Sequence, residues 1–295
     1  MTIHRRTTHM GRERIVGTTL KQAANLPKDV VADEKHRTLS GETVSIATTV
    51  AEQCFFGASV SVGAGEEEFI EAYRPFQREA QHVQPGYQPE TVNTDGGQAT
   101  MKAWRRLFPT ICLMPCFLHA ILSLRNVATT ATNALYDSIL ENAWEGYAAQ
   151  TKRSGSQRLR RLREWGETLR ARPLKTTLLK RCEKNAGFLP AYDFPGCLRT
   201  SNRIDRLMRG MDKYLFAHQD VQGTLISAEY GIRSSCLLSN VRPSRYHPIA
   251  GVKSRDTRSP FAQLNGLTYH ECWLQNMLIA TSRHEMYRFQ HKKLG

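Results

Sequence analysis

Three β-rich runs at short separations constrain the fold of this chain most. Val30 and Val31 lead into Asp33, Glu42 to Ala51 alternates apolar with polar residues, and Cys54 to Val62 follows. The separations Arg37–Gly41 and Glu52–Gln53 are short enough to suggest an antiparallel meander of three strands. Glu66 to Val83 then reads as a helix. Phe69, Ala72, Tyr73, Phe76 and Ala80 recur at helical spacing, Glu66, Glu67 and Glu68 stand near its positive end, and Pro75 marks a kink. Glu90 to Asn93 reads as a short strand ending at Asp95-Gly96-Gly97, Ala99 to Phe108 as a helix and Ile111 to Met114 as a buried strand. From Cys116 to about Leu189 the pattern is helical, until Pro190, Pro195 and Gly196 break it. Ser201 to Ala217 is a further helix with Ile204, Leu207, Met208, Met211 and Leu215 as its core face. Residues Ser239 to Arg258 read as a loop, and Ser259-Pro260 starts a helical tail in which Trp273, Met277 and Ala280 share a face. Trp104, Trp144, Trp165 and Trp273 are expected to be core anchors.

Composition narrows the class. The chain has 295 residues, enough for one large domain or two small ones, and 40% hydrophobic against 23% charged residues argues against wholesale disorder. Mean hydropathy is −0.47. The longest uncharged apolar run, around Ile111 to Leu124, is too short to span a bilayer, and no secretory leader pattern is present. Seven cysteines without framework spacing suit a reducing compartment, so a cytoplasmic protein with no membrane partner is expected. Lys and Arg number 41 against 27 Asp and Glu, a net charge of +14 that favours polyanions, nucleic acid first. Eleven basic residues against Glu164 and Glu167 lie between Lys152 and Arg181, so this segment alone carries +9. Its Ser156–Leu169 portion reads as a helix with Leu159, Leu162, Trp165 and Leu169 as an apolar stripe. Arg158, Arg160, Arg161 and Arg163 occupy the remaining circumference, as phosphate contacts or as a solvated face.

The element order β-β-β-α-β-α-β-α, a long helical insert and then a helix is that of an α/β, RNase H-like mixed sheet with an inserted α-helical domain. The corresponding division is a basic N-terminal arm (1–27), the first part of the catalytic core (28–126) and a helical basic insertion (127–198). A core helix carrying a third acid (199–222) and a C-terminal helical region (223–295) complete it. This order brings three acids together: Asp33 at the end of the first strand, Asp95 at the end of the fourth, and Asp205 on the helix after the insert. Three carboxylates suit hard Mg²⁺, with Mn²⁺ as substitute, and two such ions roughly 3.5–4 Å apart can serve in-line phosphoryl transfer. Glu34 is a poorer ligand candidate because it points to the opposite face of the strand.

The motifs around these acids are Thr94-Asp95-Gly96-Gly97, then Cys116-Phe117-Leu118-His119 with Arg125-Asn126, then Thr200-Ser201-Asn202-Arg203-Ile204-Asp205-Arg206. In these motifs the chain resembles the DDE transposases of bacterial insertion sequences related to Mutator-like elements, over roughly Val30 to Gln222. That family shows Asp-Gly after the fourth strand, Cys-x-x-His downstream near an Arg-Asn, and Thr-x-Asn-x-x-Glu after a helical insertion. The resemblance implies a DNA-binding, magnesium-dependent mobile-element enzyme of DNA recombination, associated with a bacterial nucleoid. Its expected activity is strand cleavage and strand transfer at element ends, with double-stranded DNA (element ends and target) as partner and a homodimer or higher assembly on DNA. Asp33, Asp95 and Asp205 are then the catalytic, metal-holding acids.

Two departures from the family pattern stand out. Asp205 replaces the usual Glu, one methylene shorter, and only 32 residues precede Asp33 where the family carries a separate DNA-binding domain. A catalytically inactive or truncated transposase-derived DNA-binding protein is the alternative, and an RNase H-like nuclease acting on RNA or hybrids a third. Arg203, Arg206 and Arg209 are expected to contact the DNA backbone beside Asp205. Cys116 and His119 form the remaining motif: a core cysteine with a histidine near the active site, or, with Cys112, part of a zinc site. His36 would lie near the same strand end as Asp33. No phosphate-cradling P-loop and no Gly-x-Ser-x-Gly elbow is present, so neither ATP use nor a serine hydrolase is supported.

Overall fold

A computed structural model describes residues 9–39, 41–200, 202–217, 223–243 and 258–292; the side chains of residues 202–206 and 283–292 lie outside that description. The fold is α/β with a mixed five-stranded sheet. The strands are β1 (Asp29–Leu39), β2 (Glu42–Ala51), β3 (Cys54–Val62), β4 (Thr91–Thr94) and β5 (Cys112–Pro115), in the order β3-β2-β1-β4-β5. β1, β2 and β3 form the expected antiparallel meander, while β4 joins β1, and β5 joins β4, in parallel. The Glu52–Gln53 hairpin takes left-handed φ of +44° and +65° at its two residues, the backbone hand that matches strand twist in a two-residue turn.

The helices are α1 (Ile15–Thr19), α2 (Glu66–Val83), α3 (Gln98–Leu107), α4 (Phe117–Arg125), α5 (Asn133–Tyr147), α6 (Lys152–Thr168), α7 (Arg172–Cys182), α8 (Asn202–Ala217), α9 (Leu225–Val241), α10 (Pro260–Asn265) and α11 (Trp273–Lys292). Side chains alternate across a strand, so β1 feeds two cores. Val30 and Ala32 pack with Phe56, Val92 and the aromatic group Tyr73, Phe76, Trp104 and Phe108 of α2, α3 and the α3 end. Val31 packs on the other face with Val44, Ile46 and Phe55, beneath Met208, Met211 and Leu215 of α8, Ile232 and Leu237 of α9 and Met277 of α11. A third core joins α4 to α7 through Phe117, Ile121, Ile139, Leu159, Leu162, Leu174 and Leu178. The helical unit therefore shares its core with α4 and begins at Phe117, ahead of the expected boundary at 127.

Residues 9–27 are not a loose arm. Ile15 and Val16 are fully buried, and Arg233 of α9 donates to the carbonyls of Gly11 (2.9 Å) and Glu13 (2.8 Å). Arg233 also pairs with Glu79 of α2, whose second oxygen accepts from the Val16 N–H. The polar lettering of the segment reflects backbone groups tied down by buried side chains rather than exposure to solvent. α9 was not resolved as an element from sequence. It covers β3, where Asn240 accepts from Phe55 N–H (2.7 Å) and donates to Phe55 C=O (2.8 Å), closing part of the sheet edge. Of the four tryptophans, Trp104 is fully buried and Trp144 and Trp165 pack on the helical core, whereas Trp273 is 37% exposed and is no core anchor. Ser259 caps α10 as expected, accepting from Ala262 N–H. Of the expected 239–258 loop, Ser239 to Val241 finish α9, and residues 244–257 lie outside the described residues. Among the described residues no helix is long and apolar enough to cross a membrane.

Candidate active site

Asp33 lies in the middle of β1 rather than at its end. The polar stretch Lys35-His36-Arg37 continues the strand because its side chains are engaged. Lys35 and Arg37 both pair with Asp212 of α8, the latter at 2.8 Å, and His36 Nδ1 meets Ser45 Oγ at 3.0 Å. What ends before Asp33 is the pairing with β4, whose last partners are Val31 and Asn93. Carried two residues further along each chain, that register brings Asp33 level with Asp95. Adjacent strands lie about 4.8 Å apart. Asp33 shares the face of Val31, toward α8, so its backbone is supported from β2, where Thr48 Oγ1 donates to the Asp33 carbonyl at 3.0 Å.

Asp95 is exposed and held by its own turn. Gly97 N–H donates to Asp95 Oδ1 at 2.8 Å, and Gly96 takes φ +92°, a left-handed conformation that a side chain would strain. A Cβ on Gly97 would stand 3.1 Å from Asp95 Oδ1, so the second glycine leaves the carboxylate its room. β5 delivers the next group. Cys116 N–H donates to Thr94 C=O at 2.6 Å, tying the residue before Asp95 to the start of α4, and buried Cys116 places its thiol on His119 one turn along. That hydrogen bond, then the negative charge of Cys116 and after it those of Asp33 and Asp95, raises the His119 imidazolium from 6.5 to about 9 against the effect of burial. Cys112 opens β5 and Cys116 follows its end, so the two stand a strand-length apart and do not form one zinc site with His119. Arg125 and Asn126 are exposed at the end of α4.

Behind Asp33, on the opposite face of β1 as expected, the half-buried Glu34 reaches between two helices. Its Oε1 accepts from Tyr73 Oη of α2 and from Thr100 Oγ1 of α3, the latter at 2.9 Å. Burial pushes the Glu34 carboxyl up to about 7 against the pull of those two donors, and the charges of Asp95 and Asp33 add to the rise. Both aspartates thus act on Glu34 and on His119, which places four titratable groups around one sheet end.

On the α8 face, Asp33, Glu34, Lys35, Met208, Arg209 and Asp212 line an open cleft of about 290 Å³, although the Glu34 carboxylate itself bonds to Tyr73 and Thr100 on the far side. Asp205 belongs to the first turns of α8, one helical turn before Met208; its side chain, with those of Arg203 and Arg206, lies outside the described residues. Among the described residues no three His, Cys, Asp or Glu side chains are grouped to hold a metal ion. Asp33 and Asp95 are hard oxygen donors, and their shared influence on Glu34 and His119 marks a region of accumulated negative charge. That donor set fits a divalent cation such as Mg²⁺.

The basic helix α6 starts earlier than expected, at Lys152, with Thr151 Oγ1 accepting from Ser154 N–H. Leu159 and Leu162 are buried as the stripe requires, and the arginines face outward. Arg158 pairs with Glu145 (2.9 Å), Arg160 with Glu164 (3.3 Å) and Arg163 with Glu167 (3.5 Å), whereas Arg161 has no acidic partner among the described residues. Four residues that contribute to the site region escaped sequence reasoning: Tyr73, Thr100, Lys35 and Asp212. Tyr73 and Thr100 lie on helical core stripes, and only their hydroxyls hinted at a polar partner. Lys35 and Asp212 looked like solvent charges. Compared with known proteins, the chain matches no family model, and no curated protein matches it.

Proposed function

We propose that this chain is a DDE-type transposase catalytic core, cleaving and joining DNA strands at element ends with a divalent cation. What carries this reading is the β1–β4 register, which continued two residues on sets Asp33 level with Asp95, together with the action of both charges on Glu34 and His119. The strand order β3-β2-β1-β4-β5 supports an RNase H-like sheet, as does the antiparallel-to-parallel change at β1. The helical unit between β5 and α8 supports the inserted domain, and the Thr94–Gly97, Cys116–His119 and Thr200–Arg206 motifs support the family.

In this reading Asp33, Asp95 and Asp205 hold Mg²⁺, or Mn²⁺ in its place. When bound, the cation supplies charge neutralisation at the scissile phosphate and at the oxygens that enter and leave it. The chain's own residues do the rest. The Asp95 turn fixes one carboxylate, and the β1–β2 pairing fixes the other. The His119 imidazolium presents a positive charge beside the acids, where a DNA phosphate approaches. Arg209 flanks the cleft, and Arg158, Arg160, Arg161 and Arg163, with Arg203 and Arg206, neutralise the backbone of double-stranded DNA. Acting on two element ends implies a homodimer or larger assembly.

The test is nicking of labelled duplex DNA by the purified chain with Mg²⁺, Mn²⁺ or EDTA, beside Asp95→Ala. Cation-dependent cutting that the substitution abolishes, with DNA affinity unchanged or higher, is the expected result. Salt-sensitive binding without cutting would favour the transposase-derived DNA-binding protein instead.

A further inference from the structure

We propose that Glu34 is a positioning residue that sets the spacing of Asp33 and Asp95 by tying β1 to the first turn of α3; this rests on the reading of those two aspartates as a cation site. Glu34 follows Asp33 in the chain, so its side chain leaves the opposite face of the strand. There one oxygen, Oε1, accepts from both Tyr73 Oη and Thr100 Oγ1. Thr100 is the third residue of α3, the helix that the Asp95-Gly96-Gly97 turn opens. Its Oγ1 lies 3.3 Å from where a Cβ on Gly97 would stand, next to the position 3.1 Å from Asp95 Oδ1. The path Asp33–Glu34–Thr100 therefore reaches the first turn of α3, which the Gly97–Asp95 turn opens.

The pairing of β1 with β4 does not reach this level, since its last partners are Val31 and Asn93. Beyond them no further β1–β4 pair holds Asp33 and Asp95 at a fixed separation among the described residues. The bridge through Glu34 takes over that task, and Tyr73 anchors it to α2 from the aromatic core, where its ring is fully buried against Trp104. Supporting hydrogen bonds of this kind set how well donor oxygens converge on a cation, and their loss typically weakens metal affinity by about 10- to 100-fold.

The experiment is Mn²⁺ titration calorimetry on the full chain without DNA, well below each variant's melting point. It compares the parent with Asp95→Ala, Thr100→Val, Thr100→Ser, Tyr73→Phe and Glu34→Gln. Expected is about a 10-fold weaker affinity for Thr100→Val and Tyr73→Phe at unchanged stoichiometry. Thr100→Ser, which keeps the hydroxyl, and Glu34→Gln, whose amide oxygen can accept both bonds, should stay close to the parent. Loss of binding in Glu34→Gln as complete as in Asp95→Ala would make Glu34 a ligand and overturn the positioning role. Unchanged affinity in Thr100→Val and Tyr73→Phe would overturn it too, as would a reduced number of sites at parental affinity, which marks a folding defect. A parent that binds no Mn²⁺ would remove the cation site itself, and the bridge's role with it.

Discussion

The β3 edge of the sheet and the β1 site treat carboxylates in opposite ways. At the β3 edge, Glu79 is buried against Arg233, one oxygen on the guanidinium at 3.0 Å and the other on Val16 N–H at 2.9 Å. Burial still raises its carboxyl, but Arg233, and the donors around it, pull the other way. At the site end, Glu34 receives two neutral hydroxyls among the described residues and feels the charges of Asp95 and Asp33. One carboxylate is closed by a cation of the chain itself. The other is held by hydroxyls, and those two charges add to the rise of its carboxyl.

The largest expected effect comes from breaking the closed half. Arg233→Met leaves Glu79 buried without its cation and frees the carbonyls of Gly11 and Glu13, so stability should fall by about 3–5 kcal/mol. Chemical denaturation measures it directly. The paired change Arg233→Met with Glu79→Leu should recover much of that loss, because a well-packed apolar pair needs no desolvation of ions. If the single change cost nothing, the network would be surface-like and the contrast with Glu34 would fail.

A smaller loss follows at the same edge. Asn240→Ala removes both bonds to Phe55 and leaves a strand N–H and C=O unsatisfied, a cost of about 1–3 kcal/mol. Because β3 is the edge of the sheet, light scattering on warming should also rise relative to the parent. Stability and solubility both unchanged would mean that water replaces the asparagine there.

Much of this contrast was hidden in the sequence, for physical reasons. β2 and β3 announced themselves because alternation and a two-residue turn are local signals, and α2 because its buried positions fall on one stripe. α9 did not, since it is buried on several sides. Arg233, Ser234 and Asn240 lie inside it beside Ile232, Cys236 and Leu237, so no clean polar face marks the helix. β1 seemed to stop at Asp33 because Lys35, His36 and Arg37 look like turn residues until Asp212 and Ser45 supply their partners. Asp33, Asp95, Cys116 and His119 were legible as candidates from strand ends and motif spacing. The role of Glu34 was not, because only tertiary packing brings Tyr73 and Thr100 to it.

Within the open half, the His119 titration reads the charge directly. The imidazole signals in a metal-free NMR titration should move with a midpoint of about 9. Cys116→Ala, which removes the hydrogen bond that contributes most, should bring the midpoint down toward the ordinary histidine range. Mg²⁺ should lower it as well, by offsetting Asp33 and Asp95. Since the folded value lies above the unfolded one, the stability His119 contributes is complete below about 6.5 and is lost as pH rises through about 9. A midpoint that ignores both Cys116 and Mg²⁺ would place the source of the shift elsewhere.

The smallest effect carries the same distinction onto α6. Arg158 already faces Glu145, whereas Arg161 has no acidic partner among the described residues. An arginine without a local counter-charge releases a full cation's worth of counterions from DNA. One with a carboxylate beside it must first give up that pair, worth up to about 1 kcal/mol at the surface. Arg161→Ala should therefore lower the slope of log affinity against log salt by about 1 for duplex DNA. Arg158→Ala should lower it by less, in fluorescence anisotropy across a salt series. Equal changes for the two would mean that the ion pair on α6 does not persist in solution. No change for either would remove this face from the DNA interface and leave Arg209, which lines the cleft with Asp33.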